Sequence, residues 1–433
     1  MKDAESELGT SGNEMSNSQT QSIKANEDHQ TPQSFGEAPD GGIRAWLVVA
    51  GAFFILFSTL GYVNSFGVFQ EYYISHQLRG QSPDKIAWIG SLAMFLQLST
   101  GAIAGPLFDR YGTWLLRPAA VLYIFAAMMV SICGEYWHFV LTQGVVMGVL
   151  MALFLVPAMA AVSQHFDKRR AAALGITVSG SSIGGVVFPI ALSKMLNGSS
   201  LGFGWSIRIM GFVMMPGLIV SCLTVKTRLP PRTKSFFIKA AFKDVKYLLL
   251  IAAMVFLFIG FSMPLFFIPT YAVTRGVDTT LASYMVAIIN GASAFGRIIP
   301  GILADQFGRL NILAIGSLAT GVIVCCMNEA RSTAAIIIFS VAVGFSSGTL
   351  ISGVAAAFSL CAEDHRDIGT YLGMGMAISS IAVLIGPPIN GALVDRYHGF
   401  FEASILSGVM CLVGGFIVVG CKLTTAQGIL GKV

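Results

Sequence analysis

The sequence predicts an all-α polytopic membrane protein in which twelve transmembrane helices form two six-helix halves. Three observations predict this fold: an apolar composition, apolar runs of membrane-spanning length, and a repeat that relates the two halves. Of the 433 residues, 55% are hydrophobic and only 11% are charged. Soluble globular proteins carry roughly 25% charged residues, so the apolar surplus of this chain must face lipid.

Apolar runs alternate with short polar segments along most of the chain. A helix needs about 20 apolar residues to cross the hydrocarbon core of a bilayer. The break at residues 134–138 is the weakest, and it is assigned because a run over 115–161 is far too long for one span. The runs fall near residues 45–68, 86–107, 115–133, 138–161, 171–193, 204–225, 247–272, 281–303, 310–328, 335–358, 369–393 and 401–421.

The polar segments divide the chain into five parts. Residues 1–42 predict a disordered cytosolic N-terminal tail, because they are rich in Ser, Gln, Asn and Glu and lack the apolar core of a signal peptide. A basic cytosolic linker, 226–246, separates the N-terminal six-helix half, 43–225, from the C-terminal half, 247–421, and residues 422–433 form a short cytosolic tail. The linker either lies along the anionic inner leaflet or is a solvated connection.

Basic residues concentrate in the loops on the side of the N-terminus, including residues 168–170 and the linker. The positive-inside rule then places both termini in the cytosol. The net charge of +5 reflects this topology and does not indicate nucleic-acid binding. The expected location is the plasma membrane, with a vacuolar or other internal membrane as the alternative. This orientation puts the sequon at residues 197–199 outside, so Asn197 is a predicted glycosylation site.

Two internal echoes indicate a parallel duplication of a six-helix unit. Residues 104–112, which contain Asp109, are echoed by residues 300–308 at an offset of 196. Residues 175–189 are echoed by residues 373–387 at an offset of 198. The aspartate of the first pair is expected to follow the second helix of its half, and the second pair to lie in the fifth helices. A parallel repeat places a substrate site near mid-membrane, between the halves.

These segments also resemble the motifs of a known family. Residues 105–112, Gly-Pro-Leu-Phe-Asp-Arg-Tyr-Gly, resemble the loop motif of the major facilitator superfamily, and residues 301–309 resemble its second copy. Residues 40–46, Asp-Gly-Gly-Ile-Arg-Ala-Trp, resemble the signature that opens the first helix of monocarboxylate porters, and residues 165–170 resemble their fifth-helix signature. The polar tail and residues 264–269 are similar to the fungal branch of that family.

The resemblance implies the major facilitator fold and a secondary active transporter that moves a small organic acid, monocarboxylate-like, or a related metabolite by alternating access. No Gly-x-x-x-x-Gly-Lys-Ser/Thr motif is present, so ATP does not drive transport directly. One alternative is an exporter of a neutral or bulky secondary metabolite, and another is a non-transporting nutrient sensor on the same fold.

An enzyme is not expected, because the histidines lie in tails, loops or span ends. The seven cysteines lie in or beside apolar runs without metal-ligand spacing. This pattern predicts free thiols, and neither a metal site nor a cofactor.

Arg297 is the sharpest candidate for substrate binding, because it lies inside the predicted eighth helix. A charged residue at the centre of a span costs at least about 2.5–3.5 kcal/mol, so it normally faces a cavity or a partner. Its guanidinium can hold a carboxylate through two parallel hydrogen bonds, and its position is similar to that of the substrate-binding arginine of monocarboxylate porters. The alternative is a structural arginine that snorkels inward, ahead of Asp305.

Three polar residues are further candidates for substrate binding. Asn64 and Asn290 are expected to line the cavity, because the first and eighth helices do so in related porters. Ser293 stands one turn before Arg297, where the resemblance implies an acid, and Asn64 falls where it implies a lysine. Proton coupling therefore has no evident intramembrane acid, and Glu71 is the nearest carboxylate. The expected partners are a small-molecule substrate, an organic anion, and membrane lipid.

Asp109 and Arg110, with Asp305 and Arg309 in the second copy, are expected to gate the inner face. In the superfamily that they resemble, this loop pairs with the inner ends of neighbouring helices and stabilises one conformation. A carboxylate there is favoured by a helix N-terminus and by a basic partner. The alternative is that these residues only anchor the inner face of the protein.

Overall fold

The chain folds into a bundle of helices, seen in a computed structural model that describes residues 38–229, 237–362 and 364–425. Most of the predicted N-terminal tail, the middle of the linker and the end of the C-terminal tail lie outside the described residues. The N-terminal half contains α1 (Ile43–Gln77), α2 (Pro83–Ser99, continued by Gly101–Tyr111), α3 (Leu116–Val130), α4 (Tyr136–His165), α5 (Arg170–Asn197) and α6 (Gly202–Thr224).

The C-terminal half begins after a short 3-10 turn at Lys239–Lys243. No strand occurs among the described residues of either half. Prolines inside several helices are tolerated because neighbouring helices and side chains satisfy the freed backbone groups. This half contains α7 (Val245–Thr274), α8 (Thr279–Phe307), α9 (Arg309–Cys325), α10 (Thr333–Phe358), α11 (Ile368–Tyr397) and α12 (Phe401–Leu423).

The number of spans depends on where α2 ends. Within the described residues, eleven helical stretches are long and apolar enough to cross a membrane, and Lys85–Ser99 is a shorter apolar helix. One of the eleven, Gly101–Val130, contains a 3-10 turn that begins at Gly112, whose φ is 64°. Both segments of α2 pack against α11, whereas α3 packs against α6. The chain therefore reverses at Gly112, and the described residues form the twelve predicted helices.

Two helices of the N-terminal half are irregular. Helix α1 is interrupted at Thr59 and at residues 64–65, and it ends in a π-helical segment, Tyr73–Gln77. Helix α4 contains a second π-helical segment, Val140–Val146. Broken helices near the middle of the membrane are typical of the substrate sites of transporters, and the second interruption of α1 contains Asn64.

Because the twelve helices alternate in direction, all connections between an even-numbered and the following odd-numbered helix lie on one side of the bundle. We call this side the termini face, since α1 starts there and α12 ends there, and the other side the opposite face. Asp40 lies on the termini face, where its Oδ1 accepts hydrogen bonds from the backbone N–H groups of Asp167 at 2.7 Å and Arg169 at 3.3 Å. The predicted disordered tail is therefore too long, because residues 38–42 belong to the folded bundle.

The two halves meet along two seams, which we call the α2–α11 seam and the α5–α8 seam after their helices. Small residues allow the close approach in each seam. A Cβ atom at Gly105 would overlap the backbone carbonyl of Gly369, and a Cβ atom at Gly175 would overlap the carbonyl of Arg297. Glycine is thus required at both positions by the neighbouring backbone and not by the local turn geometry.

Candidate functional site

Three of the four predicted binding residues meet at one point of the α5–α8 seam. Asn64 of α1, Asn290 of α8 and Arg297 of α8 all lie against the same stretch of α5, around Ser181 and Gly185. We call these five residues the central cluster. Its position between the halves, part-way along α5 and α8, agrees with the mid-membrane site that the repeat predicts.

Arg297 is buried, with 4% of its surface exposed. Its Nη1 donates to the carbonyl of Val178 at 2.7 Å and to the hydroxyl of Ser181. Its Nε is buried and has no hydrogen-bond partner, and Arg297 forms no ion pair among the described residues. It is therefore not a snorkelling arginine, because its charged group points into the other half of the protein.

The unpartnered side of this guanidinium has a chemical consequence. A buried charged donor without an acceptor is strongly unfavourable. The Nε and Nη2 donors form the fork that binds two oxygens of a carboxylate or a similar acidic group. Nη1 alone is engaged by α5, so the Nε–Nη2 side has no acceptor in this conformation.

The two asparagines connect all three helices of the central cluster. Asn64 Nδ2 donates to the carbonyl of Ser181 at 3.3 Å and approaches Asn290 Oδ1 at 3.5 Å, the upper limit for a hydrogen bond. A Cβ atom at Gly185 would lie 2.6 Å from Asn64 Nδ2 and 3.0 Å from Asn290 Cγ. Gly185 therefore makes the room that both amides need.

Ser293 lies one turn from Arg297, and its buried hydroxyl has no hydrogen-bond partner. The hydroxyls of Thr177 and Ser182 on α5 are buried and unpartnered in the same way. Sequence reasoning missed Ser181, Thr177 and Ser182. Gly180 and Gly184 pack against α1, and this packing determines which side of α5 faces α8. The spacing of the three residues from these glycines is the signal that could have found them.

In the α2–α11 seam, Asp109 joins the halves at the termini face. Its Oδ2 accepts a hydrogen bond from the backbone N–H of Thr370 at 2.7 Å and another from the Thr370 hydroxyl at 2.6 Å. Thr370 lies in the first turn of α11, so the carboxylate caps a helix N-terminus. This contact agrees with the geometry expected of a gate residue.

In the α5–α8 seam, Asp305 makes the corresponding contact. Its two oxygens accept from the N–H groups of Ala171 at 2.9 Å and Ala172 at 2.8 Å, in the first turn of α5. Arg309 lies 3.8 Å from Asp305 and also donates to the carbonyl of Asp167. Three of the four predicted gate residues thus lie where the two halves touch.

Two expectations about these residues need correction. Asp109 and Asp305 do not follow their helices but lie inside the last turns, because the helices end only at Gly112 and Gly308, which have φ of 64° and 101°. Arg110 is exposed, lies 5.8 Å from the ring centre of Tyr111, and forms no ion pair among the described residues. The structure does not bring Arg110 into the contact between the halves.

Arg170, which the sequence predicts only as an anchor of the inner face together with Lys168 and Arg169, contacts the other half. It is buried, its Nη1 donates to the hydroxyl of Ser359 at 3.3 Å, and its Nη2 donates to Asp167 at 3.1 Å. Ser359 follows the last residue of α10, so Arg170 links the start of α5 to the C-terminal half.

The contacts between the halves reach from the termini face to the depth of the central cluster. Among the described residues, hydrogen bonds between the two halves occur at the termini face, where Asp109 and Asp305 lie. Toward the opposite face, the last of them is the one between Asn64 and Asn290. Beyond Asn64, α1 exposes Gly67 and Glu71, and a Cβ atom at Gly67 would meet nothing within 4 Å. The structure is thus closed at the termini face.

The remaining predicted residues lie near the opposite face. Glu71 is exposed on α1, away from the central cluster, and Asn197 is exposed at the last residue of α5.

All seven cysteines are free thiols, as predicted. No group of His, Cys, Asp and Glu in the described part of the chain has the geometry to hold a metal ion.

Comparison with known proteins places this architecture in a family. A model described as Major Facilitator Superfamily matches residues 47–327 and 292–427. The chain is 47% identical over 390 residues to the aspyridones efflux protein apdF of Emericella nidulans, covering 90% of this chain and 80% of the relative. It is 38% identical over 396 residues to the agnestins efflux protein AgnL12 of Paecilomyces divaricatus, covering 90% of each.

Solved structures share the same fold at low sequence identity. The human organic anion transporter MFSD10 (TETRAN) matches with a TM-score of 0.69 and 14% identity, covering 87% of this chain and 100% of that chain. The fucose:proton symporter FucP of E. coli matches with a TM-score of 0.67 and 14% identity, covering 87% and 98%. The family model and the identity to the two relatives show that the chain belongs to the Major Facilitator Superfamily, a family of membrane transporters and not of enzymes.

Proposed function

We propose that this chain is a secondary transporter that exports a small secondary metabolite with an acidic group by alternating access. The observation that carries the proposal is Arg297, a buried charge held between the halves with an unpartnered Nε. A charge at this depth is retained where a ligand or a partner needs it. The named efflux function of two relatives supports export as the direction.

The substrate would bind beside the central cluster on the side of the opposite face, in a state in which the halves have separated there. There the Nε–Nη2 fork of Arg297 would bind an acidic oxygen pair, and Asn64, Asn290 and Ser293 would supply hydrogen bonds to neutral parts of the ligand. Three of these four side chains are buried, so water competes weakly with a ligand. The site suits a molecule with one acidic group and several polar atoms.

The relatives favour the exporter over the monocarboxylate porter that the sequence motifs suggest. Two of them are named as efflux proteins for aspyridones and agnestins, and a third, pynF of Aspergillus niger, is an MFS-type transporter that is 40% identical over 382 residues, covering 86% of this chain and 88% of the relative. The acid and the lysine of monocarboxylate porters are replaced by Ser293 and Asn64. We therefore prefer a larger, metabolite-like cargo to a simple monocarboxylate.

The proposed orientation has both termini in the cytosol, in the plasma membrane or an internal membrane. The termini face is then the loading side and the opposite face is the release side. Asp109 and Asp305 would stabilise the state that is closed toward the cytosol, because each caps a helix of the other half. Asn197 would lie on the release side, where it is accessible for glycosylation.

Proton coupling is a subordinate part of the proposal. The central cluster contains no carboxylate. The exposed Glu71 lies toward the opposite face, on the stretch of α1 that follows Asn64. A proton bound there would move with the opening of that face, and flux at varied external pH would measure its contribution.

Export is tested with purified protein in proteoliposomes loaded with aspyridones or agnestins. We expect saturable flux and counterflow for the wild type, and at least a tenfold loss for Arg297→Gln at equal abundance. Ser179→Ala is a matched control, because its buried hydroxyl bonds only within α5. Binding without flux would instead support a non-transporting sensor.

A further inference from the structure

The two acceptors of Arg297 form one unit on the other half of the protein. Arg297 lies on α8, whereas Val178 and Ser181 lie on α5. The Ser181 hydroxyl accepts from Arg297 and itself donates to the Val178 carbonyl at 3.0 Å. Both acceptors are buried, with 2% of Ser181 and none of Val178 exposed. Water therefore does not replace them while the α5–α8 seam is closed.

This arrangement makes the partners of Arg297 depend on the conformation of the protein. Opening the termini face separates α5 from α8, because Asp305, Arg309 and Gly175 hold these helices together on that side. Separation removes the Val178 and Ser181 oxygens from Nη1. A guanidinium that loses buried acceptors requires other oxygens, and a substrate loaded from the termini face can supply them.

We propose that Ser181, together with the Val178 carbonyl, competes with the substrate for Arg297 and thereby promotes release toward the opposite face. The inference rests on the proposed function, in which Arg297 binds an acidic substrate. When the termini face closes, Nη1 returns to α5, and the substrate keeps only the Nε–Nη2 side. A conformational change alters affinity only through a difference in contacts between the two states, and this exchange of acceptors is such a difference.

Ser181 is thus a positioning residue that acts on the substrate through Arg297. A merely structural serine would raise the half-saturation constant or lower abundance when removed, because the binding site would be distorted. A competing serine has the opposite signature. Its removal strengthens binding in the state that opens to the opposite face and slows release from that state.

The test uses aspyridones as the probe in proteoliposomes, with half-saturation measured from the opposite face and the maximal export rate measured separately. For Ser181→Ala we expect both quantities to fall, each by about tenfold, since one hydrogen bond to a charged donor is lost. Ser181→Thr keeps a hydroxyl and is expected to behave as the wild type. Ser179→Ala removes a buried hydroxyl that donates to the Ile176 carbonyl within α5, and neither quantity should change.

Ser181→Cys serves if the alanine variant does not fold, because a thiol keeps the volume and accepts only weakly. It should shift both quantities in the same direction by a smaller factor. A higher half-saturation constant in Ser181→Ala or Ser181→Cys, with normal Ser181→Thr, contradicts the inference and leaves the proposed function intact. Absence of wild-type flux contradicts the proposed function and this inference with it.

Discussion

The two seams between the halves share one plan at the termini face. In the α2–α11 seam, Asp109 caps α11 through the N–H and hydroxyl of Thr370. In the α5–α8 seam, Asp305 caps α5 through the N–H groups of Ala171 and Ala172. Each aspartate comes from the last turn of one helix and holds the first turn of a helix in the other half, as the internal duplication leads us to expect.

Deeper in the membrane the seams differ. In the α2–α11 seam, Gly373 packs against the carbonyl of Gly101. In the α5–α8 seam, Gly175 makes the corresponding contact with the carbonyl of Arg297, and the Arg297 side chain adds a buried charge with an unpartnered donor. We infer that duplication supplied two gates and that only the α5–α8 seam also acquired substrate recognition. Six variants in four groups, taken from the largest expected effect to the smallest, test this difference.

The largest effect is expected at Arg297. Arg297→Gln removes the charge and the guanidinium fork and leaves a shorter, neutral polar side chain. We expect about a 100-fold loss of kcat/KM for an acidic substrate and a much smaller loss for its neutral methyl ester. Flux of the matched acid and ester through proteoliposomes measures this ratio. An equal loss for both compounds means that Arg297 is structural.

A matched pair of glycine variants distinguishes an effect on substrate recognition from an effect on closure of the termini face. Gly175→Ala places a methyl group against the carbonyl of Arg297, and Gly105→Ala places one against the carbonyl of Gly369. Overpacking of this kind costs roughly 1–3 kcal/mol. We expect Gly175→Ala to lower substrate affinity about tenfold, because it displaces the central cluster. Gly105→Ala should instead open the termini face with affinity changed less than threefold, as measured by binding and by cysteine labelling at that face.

The two capping aspartates should affect conformation more than binding. Asp305→Asn loses one of two charge-assisted acceptors and the attraction of Arg309, and Asp109→Asn loses the charge that caps α11. A carboxylate at a helix N-terminus contributes about 0.3–2 kcal/mol. We expect the population open at the termini face to rise about tenfold in Asp305→Asn and about threefold in Asp109→Asn. Distance distributions between spin labels on the two halves report these populations.

The smallest effect is expected for Arg110. It is exposed and contacts only the neighbouring Tyr111 among the interactions described for it. Arg110→Ala should therefore change transport less than twofold, even though it lies in the same motif as Asp109. A tenfold loss at normal abundance would show that Arg110 takes part in a gate of another conformation.

The fold and most residues of the candidate site were predictable from the sequence. Hydropathy predicted the number of spans, because each helix that crosses the bilayer requires an apolar run of sufficient length. Charge inside a span identified Arg297, and family resemblance placed Asn64 and Asn290 in helices that meet it. The positions of Asp109 and Asp305 were displaced by only one turn, because glycines at the helix ends are compatible with either a loop or a last helical turn.

The partners of these residues were not predictable from the sequence. Val178 contributes a backbone carbonyl to Arg297, and a carbonyl has no signature in the sequence. Ser181 and Gly185 lie in a stretch of small residues, which in a membrane helix predicts only close packing. Whether Arg110 points toward the gate depends on its rotational position in the last turn of α2. A shift of one residue along the helix changes that position. The contacts between the halves could therefore be identified only from the structure.

Equilibrium binding of an acidic substrate to purified variants tests the central claim most directly, namely that recognition belongs to the α5–α8 seam. Isothermal titration of the wild type, Arg297→Gln and Asp109→Asn with an acidic metabolite that the wild type transports gives three dissociation constants under one condition. We expect Arg297→Gln to weaken binding about 100-fold and Asp109→Asn to change it less than threefold. Equal dissociation constants for the wild type and Arg297→Gln would contradict the account.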